Sequence, residues 1–85
     1  MKLNPDSIFT EIELELHRQE VKWGVQDHSV IVWLAILAEE FGEAAKEVNE
    51  LYFKRQLNIE FLRTELIQTA AVVVAMLDSL NRNGG

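Results

Sequence analysis

The feature that most constrains this chain is the run Ala70-Ala71-Val72-Val73-Val74-Ala75-Met76-Leu77. Wound into a helix at about 100° per residue, these side chains cover every side of it. A helix that is apolar all round has to be buried all round. The run is too short to cross a bilayer, so it belongs to a core or an interface. The chain has 85 residues, which makes one domain near the lower limit for a self-sufficient core. Two further helices of such a chain do not easily surround a third. The sequence therefore predicts an all-α, three-helix protomer over residues 1–85, part of an antiparallel helical bundle completed by a second copy, as a dimer or tetramer.

Start and stop signals place the helices. Asn4 is a candidate cap and Pro5 suits a first helical position, so helix one is expected from Pro5 to about Lys22. Phe9, Ile12, Leu16, Gln19 and Trp23 recur at three- and four-residue spacing and share its inner face. Gly24 is a natural stop. Residues 24–29 form a loop, with Asp27 or Ser29 as the next cap. Helix two is expected from Val30 to Lys54, with Trp33, Leu37, Phe41, Ala44, Val48 and Leu51 on its apolar face. Helix three begins near Asn58 and reaches about Leu80, and Asn81 to Gly85 are expected to fray. No alternation of strand type with hairpin signals is present.

Composition narrows the chemistry. There is no cysteine, so thiolate zinc sites and disulfides are excluded. Two histidines, His17 and His28, are too few for a His-rich metal site, which leaves oxygen ligands. The formal charge of -6, with dispersed Lys and Arg, argues against a nucleic-acid partner. No signal-peptide pattern or membrane segment is present, so a cytoplasmic protein is expected.

The glutamates carry the functional signal. On helix two, Trp33, Glu40, Glu47 and Leu51 fall within about 40° of one another, and Glu43 lies about 60° from Glu40. On helix three, Glu65 lies within about 60° of Leu62, Thr69, Val72, Met76 and Leu80. Both carboxylates sit inside apolar stripes. A buried carboxylate is protonated, paired with a cation or bound to metal. Arg18, Lys46 and Arg63 are candidate partners for a salt bridge. The other reading is a carboxylate cluster for Mg²⁺ or Mn²⁺, which favour oxygen ligands. No His follows a Glu at Glu-x-x-His spacing, so a redox di-iron bundle is disfavoured. Glu11, Glu13, Glu15, Glu50 and Glu60 are expected at solvated surface.

These residues resemble a known pattern, Glu-Glu-x-x-Glu, a spacer, then Glu-x-x-Asp. Glu39-Glu40-Phe41-Gly42-Glu43 matches its first half, and Glu65-Leu66-Ile67-Gln68 its second except at the last position. The pattern is that of the MazG-like all-α nucleoside triphosphate pyrophosphohydrolases, which include dimeric dUTPases. Trp33-Leu34-Ala35-Ile36-Leu37-Ala38, and Arg18-Gln19-Glu20-Val21-Lys22-Trp23-Gly24 followed by Gln26 and His28, look like the small phage and mobile-element members. The resemblance covers roughly residues 15 to 80. It implies attack of water on the α-phosphorus of a nucleoside triphosphate, releasing a nucleoside monophosphate and pyrophosphate. It implies Glu40, Glu43, Glu65 and Gln68 at the metal, which is Mg²⁺ or alternatively Mn²⁺. It implies Glu39 as a further ligand or as the group that orients the water.

Gln68 departs from the pattern, offering one carbonyl oxygen and no charge. That departure predicts weaker metal binding, for which Glu47 is a better compensator than the distant Asp78. Family likeness also places Gln19, Lys22, Trp23 and Gln68 around the substrate. Core packing of Trp23 and a capped or solvated Gln19 remain the alternative. Lys22, Lys54 and Arg63 are phosphate candidates, with plain surface as the commoner role. His28 is a turn residue or a gate, and Trp33 is expected in the core beside the acids. Two other functions stand beside hydrolysis: a catalytically weak or inactive nucleotide- or metal-binding module of the same fold, and a purely structural helical oligomer with Glu40 and Glu65 in salt bridges.

Overall fold

A computed structural model describes residues 5–54 and 58–83, without the side chains of Pro5, Asp6, Leu51 and Lys54. The described residues form three helices and no strand: α1 (Pro5–Trp23), α2 (Val30–Lys54) and α3 (Ile59–Asn83). The expected starts are found, as are the expected stops of α1 and α2. Gly24 ends α1 at φ 76°, its N–H donating to Glu20 O at 2.7 Å. An added Cβ would meet nothing there, so it is the backbone conformation that favours glycine. Ser29 caps α2, its Oγ accepting from Val32 N at 3.4 Å. Asn58 caps α3, its Oδ1 accepting from Phe61 N at 2.9 Å. The expected cap Asn4 lies outside the described residues.

The helices run up, down and up. Glu11 near the start of α1 meets Arg63 near the start of α3, and the loop after α1 meets Arg82 at the end of α3. Glu47 in the second half of α2 accepts from Asn58 N, so α2 lies antiparallel to α3. Both α1 and α2 pack on α3, and among the described residues the backbones of α1 and α2 do not come close to each other. The apolar length of α3 is thus used on two sides. Ala71 is fully buried and Val72 nearly so, although their directions differ by about 100°. Trp33 and Ala44 from α2 complete the buried apolar set.

A third side of α3 stays open. Leu66, Val73 and Leu77 form an exposed stripe, as do Leu34, Phe41, Val48 and Tyr52 on α2. Each stripe spans only about 40° around its helix. The radius of gyration is 14.4 Å, against about 12 Å for a compact domain of this length. The exposed surface is 6505 Å², where a compact monomer of this mass exposes about 5200 Å².

Three expectations are corrected. Phe9 and Trp23 are exposed, because α1 has α3 alone to lie against. Phe41 and Val48 face outward, and the half-buried side of α2 carries Glu40 and Glu47 instead. Residues 81–83 do not fray: they are helical, and Asn83 Nδ2 donates to Ser79 O at 2.9 Å and to Asp27 Oδ1 at 3.1 Å. No helix among the described residues is long and apolar enough to cross a membrane.

Candidate functional site

α1 and α2 each lie closest to α3, and a cleft opens between them with α3 as its floor. Gln19 and Trp23 line it from α1, Trp33, Ile36 and Glu40 from α2, and Gln68 and Val72 from α3. Arg18 and the loop residue Gln26 also border it, and its free volume is about 320 Å³. Four of the expected site residues, Gln19, Trp23, Glu40 and Gln68, therefore share one cavity. Trp23 is 54% exposed and forms a wall, so its core-packing role is excluded. Lys22 does not line the cleft, but its Nζ lies 4.7 Å from the centre of the Trp23 ring, close enough for a cation–π contact. Gln19 donates through Nε2 to Glu15 Oε2 at 2.9 Å, which orients its amide.

Beside the cleft, α2 and α3 face each other with carboxylates. Glu65 is buried and Glu40 half-buried, while Glu39 and Glu43 are exposed. Burial raises the Glu40 carboxyl above its usual range, followed by repulsion from Glu65, Glu39, Glu15 and Glu43. Burial also raises Glu65, followed by repulsion from Glu43 and Glu47. The Glu40–Glu65 repulsion registers on Glu40 and not on Glu65. Such repulsion is mutual, so ionising either acid opposes ionisation of the other.

The salt bridges considered for Glu40 and Glu65 are not formed among the described residues. Arg63 holds both oxygens of Glu11 in a fork, and Arg18 Nη2 lies 2.7 Å from Glu15 Oε2. Arg18 senses Glu40 only as a minor influence after that pair. The expectation that Glu11, Glu15 and Glu50 simply face water is also corrected. All three are partly buried, and only 13% of the Glu15 side chain is exposed. Glu15 lies on the same side of α1 as Ile12 and Gln19, so its position in the helical pattern was the available signal. Arg18 and Gln26 as cleft residues had no signal in the helical pattern, and only the resemblance of the 18–28 stretch pointed to them.

The donor chemistry here is that of a hard divalent cation: carboxylate oxygens without a protein cation. The enclosure is incomplete, since among the described residues no three acidic or imidazole side chains form a group able to hold a metal ion. Glu39 and Glu43, the remaining acids of this stretch of α2, are exposed.

At the end of the cleft nearest the loop, His28 stacks edge-on against Trp33, ring centres 4.9 Å apart. His28 Nε2 and Trp33 Nε1 are both buried without a protein hydrogen-bond partner. A buried polar group left unpaired costs about 1–3 kcal/mol, so closing the loop over Trp33 is not free. Comparison of the chain with protein-family models, with curated proteins and with solved structures finds no match.

Proposed function

We propose that this chain is a divalent-metal-dependent nucleoside triphosphate pyrophosphohydrolase, releasing a nucleoside monophosphate and pyrophosphate. The observation that carries this reading is the Glu40–Glu65 pair: two carboxylates withdrawn from water, raised by burial and by neighbouring acids, and given no cation by the described protein residues. They adjoin a cleft that also offers an exposed indole and three side-chain amides. The acidic pattern from Glu39 to Gln68 supplies the rest of the argument.

In this reading Glu40, Glu43, Glu65 and Gln68 hold Mg²⁺ or Mn²⁺, and Glu39 adds a ligand or orients the attacking water. The bound ion would neutralise phosphate charge and acidify water. Trp23 stacks on the base, and Gln19 and Gln68 present amides to its polar edge. Lys22, held beside Trp23, brings a positive charge near the phosphates. The exposed apolar stripes of α2 and α3 support a homo-oligomer. The excess exposed surface, about 1300 Å², exceeds the roughly 800 Å² that each partner of a standard interface buries. A cytoplasmic setting, where nucleoside triphosphates and Mg²⁺ meet, belongs to the same reading.

The test is pyrophosphate release from a panel of deoxynucleoside triphosphates with Mg²⁺ or Mn²⁺. Absence of turnover on every nucleotide by folded protein sinks it. Gln68 favours a second reading, a nucleotide- or metal-binding module with little or no catalysis. It predicts that nucleotide raises the melting temperature without turnover. A purely structural oligomer rests on the apolar third helix, and the salt bridges it places at Glu40 and Glu65 are not formed among the described residues.

A further inference from the structure

The loop at residues 24–29 is held from a distance. Arg82 Nη1 donates to Asp27 Oδ1 at 2.5 Å, and Arg82 Nη2 donates to the Gln26 carbonyl at 3.4 Å. Asn83 Nδ2 donates to the same Asp27 oxygen, and Asp78 steadies Arg82 through Nε at 3.0 Å. These contacts join the last turn of α3 to the segment between α1 and α2. Leu16 and Gln19 of α1, Trp33 of α2 and Ala75 of α3 also line a small cavity with Gly24, Val25 and Gln26 of this loop. The loop carries Gln26, which lines the cleft, and His28, which covers Trp33. Closure leaves two ring nitrogens buried without protein partners, and opening would hydrate them. Some interaction has to oppose that tendency.

We propose that Asp27, Arg82 and Asn83 form a latch that holds the 24–29 loop down on Trp33 and so sets the position of Gln26 in the cleft. The three are positioning residues, since none lines the cleft. The hinge is Gly24, at φ 76° with open space around it. The latch is exposed: 53% of the Asp27 side chain and 36% of the Arg82 side chain are accessible. Exposed ion pairs contribute little to global stability, so breaking this one frees the loop without unfolding the helices.

The test reads Trp33 directly. In a Trp23→Phe background, Trp33 is the sole tryptophan. Acrylamide quenching of its fluorescence is expected to rise about threefold in Asp27→Ala and in Arg82→Ala, with helix content unchanged. Arg82→Lys, which keeps the charge, is expected to recover at least half of that increase. Unchanged quenching overturns the latch, and so does loss of helix content in either alanine variant. A second arm, in the protein with Trp23 intact, measures nucleotide turnover and rests on the functional reading above. There KM is expected to rise about tenfold with kcat within about twofold. An unchanged KM alongside increased quenching overturns the positioning of Gln26. Absence of turnover in the parent protein counts against the hydrolase alone, because the quenching arm stands without it.

Discussion

Glu11, Glu15 and Asp27 each meet an arginine, whereas the carboxylates of Glu40 and Glu65, among the described residues, have no ion pair and no hydrogen bond. The first group is held below the usual carboxyl range by hydrogen bonds from Arg63, from Arg18, and from Asn83 and Arg82 respectively. The second is pushed above it by burial and by like charge. Arg18 on α1 and Arg63 and Arg82 on α3 are all engaged by these three acids. Cations are thus placed at acids of α1 and the loop, the little-exposed Glu15 among them, and withheld from Glu40 and Glu65. The contrast means that the α2–α3 acids gain most from a cation supplied from outside.

The largest expected effect tests that point through activity. Glu40→Gln or Glu65→Gln is expected to lower kcat/KM for pyrophosphate release by about 100-fold or more, as loss of an essential metal ligand does. Retention of full activity in both would break the contrast, since the unpaired acids would then have no catalytic use. Next in size is the response to metal. A divalent ion at 100 times its Kd is worth about 2.7 kcal/mol, which in a domain of this length raises Tm by roughly 10 °C or more. Differential scanning fluorimetry with Mg²⁺ or Mn²⁺ should show this rise in the parent and its loss in Glu65→Gln. An equal rise in both would place the ion elsewhere.

How much of this was legible in the sequence depends on the range of the interaction. Gly24, Ser29 and Asn58 act on their own helix ends, so their local chemistry was enough to place the boundaries. Glu65 was found because helical angle alone sets it among Val72 and Met76. Periodicity gives a direction around a helix but not how much of that direction is covered. Phe9 and Trp23 share the face of Ile12 and Leu16, yet they are exposed because α1 has only α3 as a neighbour. The Asp27–Arg82 contact spans 55 residues, and neither residue carries a local sign of the other. A chain end rich in Asn, Arg and Gly reads as frayed until the loop it holds is known.

Gln68 offers a finer adjustment of the same comparison. Gln68→Asp adds a third acid beside Glu40 and Glu65 and should tighten Mg²⁺ binding about tenfold. Without metal it should lower Tm, because a further charge joins an already repelling group. Titration by calorimetry, with and without chelator, separates the two effects. Tighter binding without any loss of apo stability would show that Gln68 stands apart from the cluster.

The smallest effects fall in stability against pH, and they divide the two groups of acids by sign. A carboxyl raised in the folded state keeps its proton where the unfolded chain has lost it. Stability in chelator should therefore fall as pH rises from about the ordinary value of 4.5 through the raised values of Glu65 and Glu40. Glu65→Gln should flatten that limb and raise Tm at neutral pH by about 5 °C. Glu11 behaves oppositely. Its folded value is lowered, so its contribution is complete above about 4.5 and is lost as pH falls through the lowered value. Arg63→Ala should leave Tm at neutral pH within about 2 °C, because the Arg63–Glu11 fork is substantially exposed. Its effect should be confined to the acid limb, where the loss of stability becomes shallower. If Arg63→Ala also altered the limb above 4.5, Arg63 would be screening the buried acids after all, and the division between paired and unpaired carboxylates would fail.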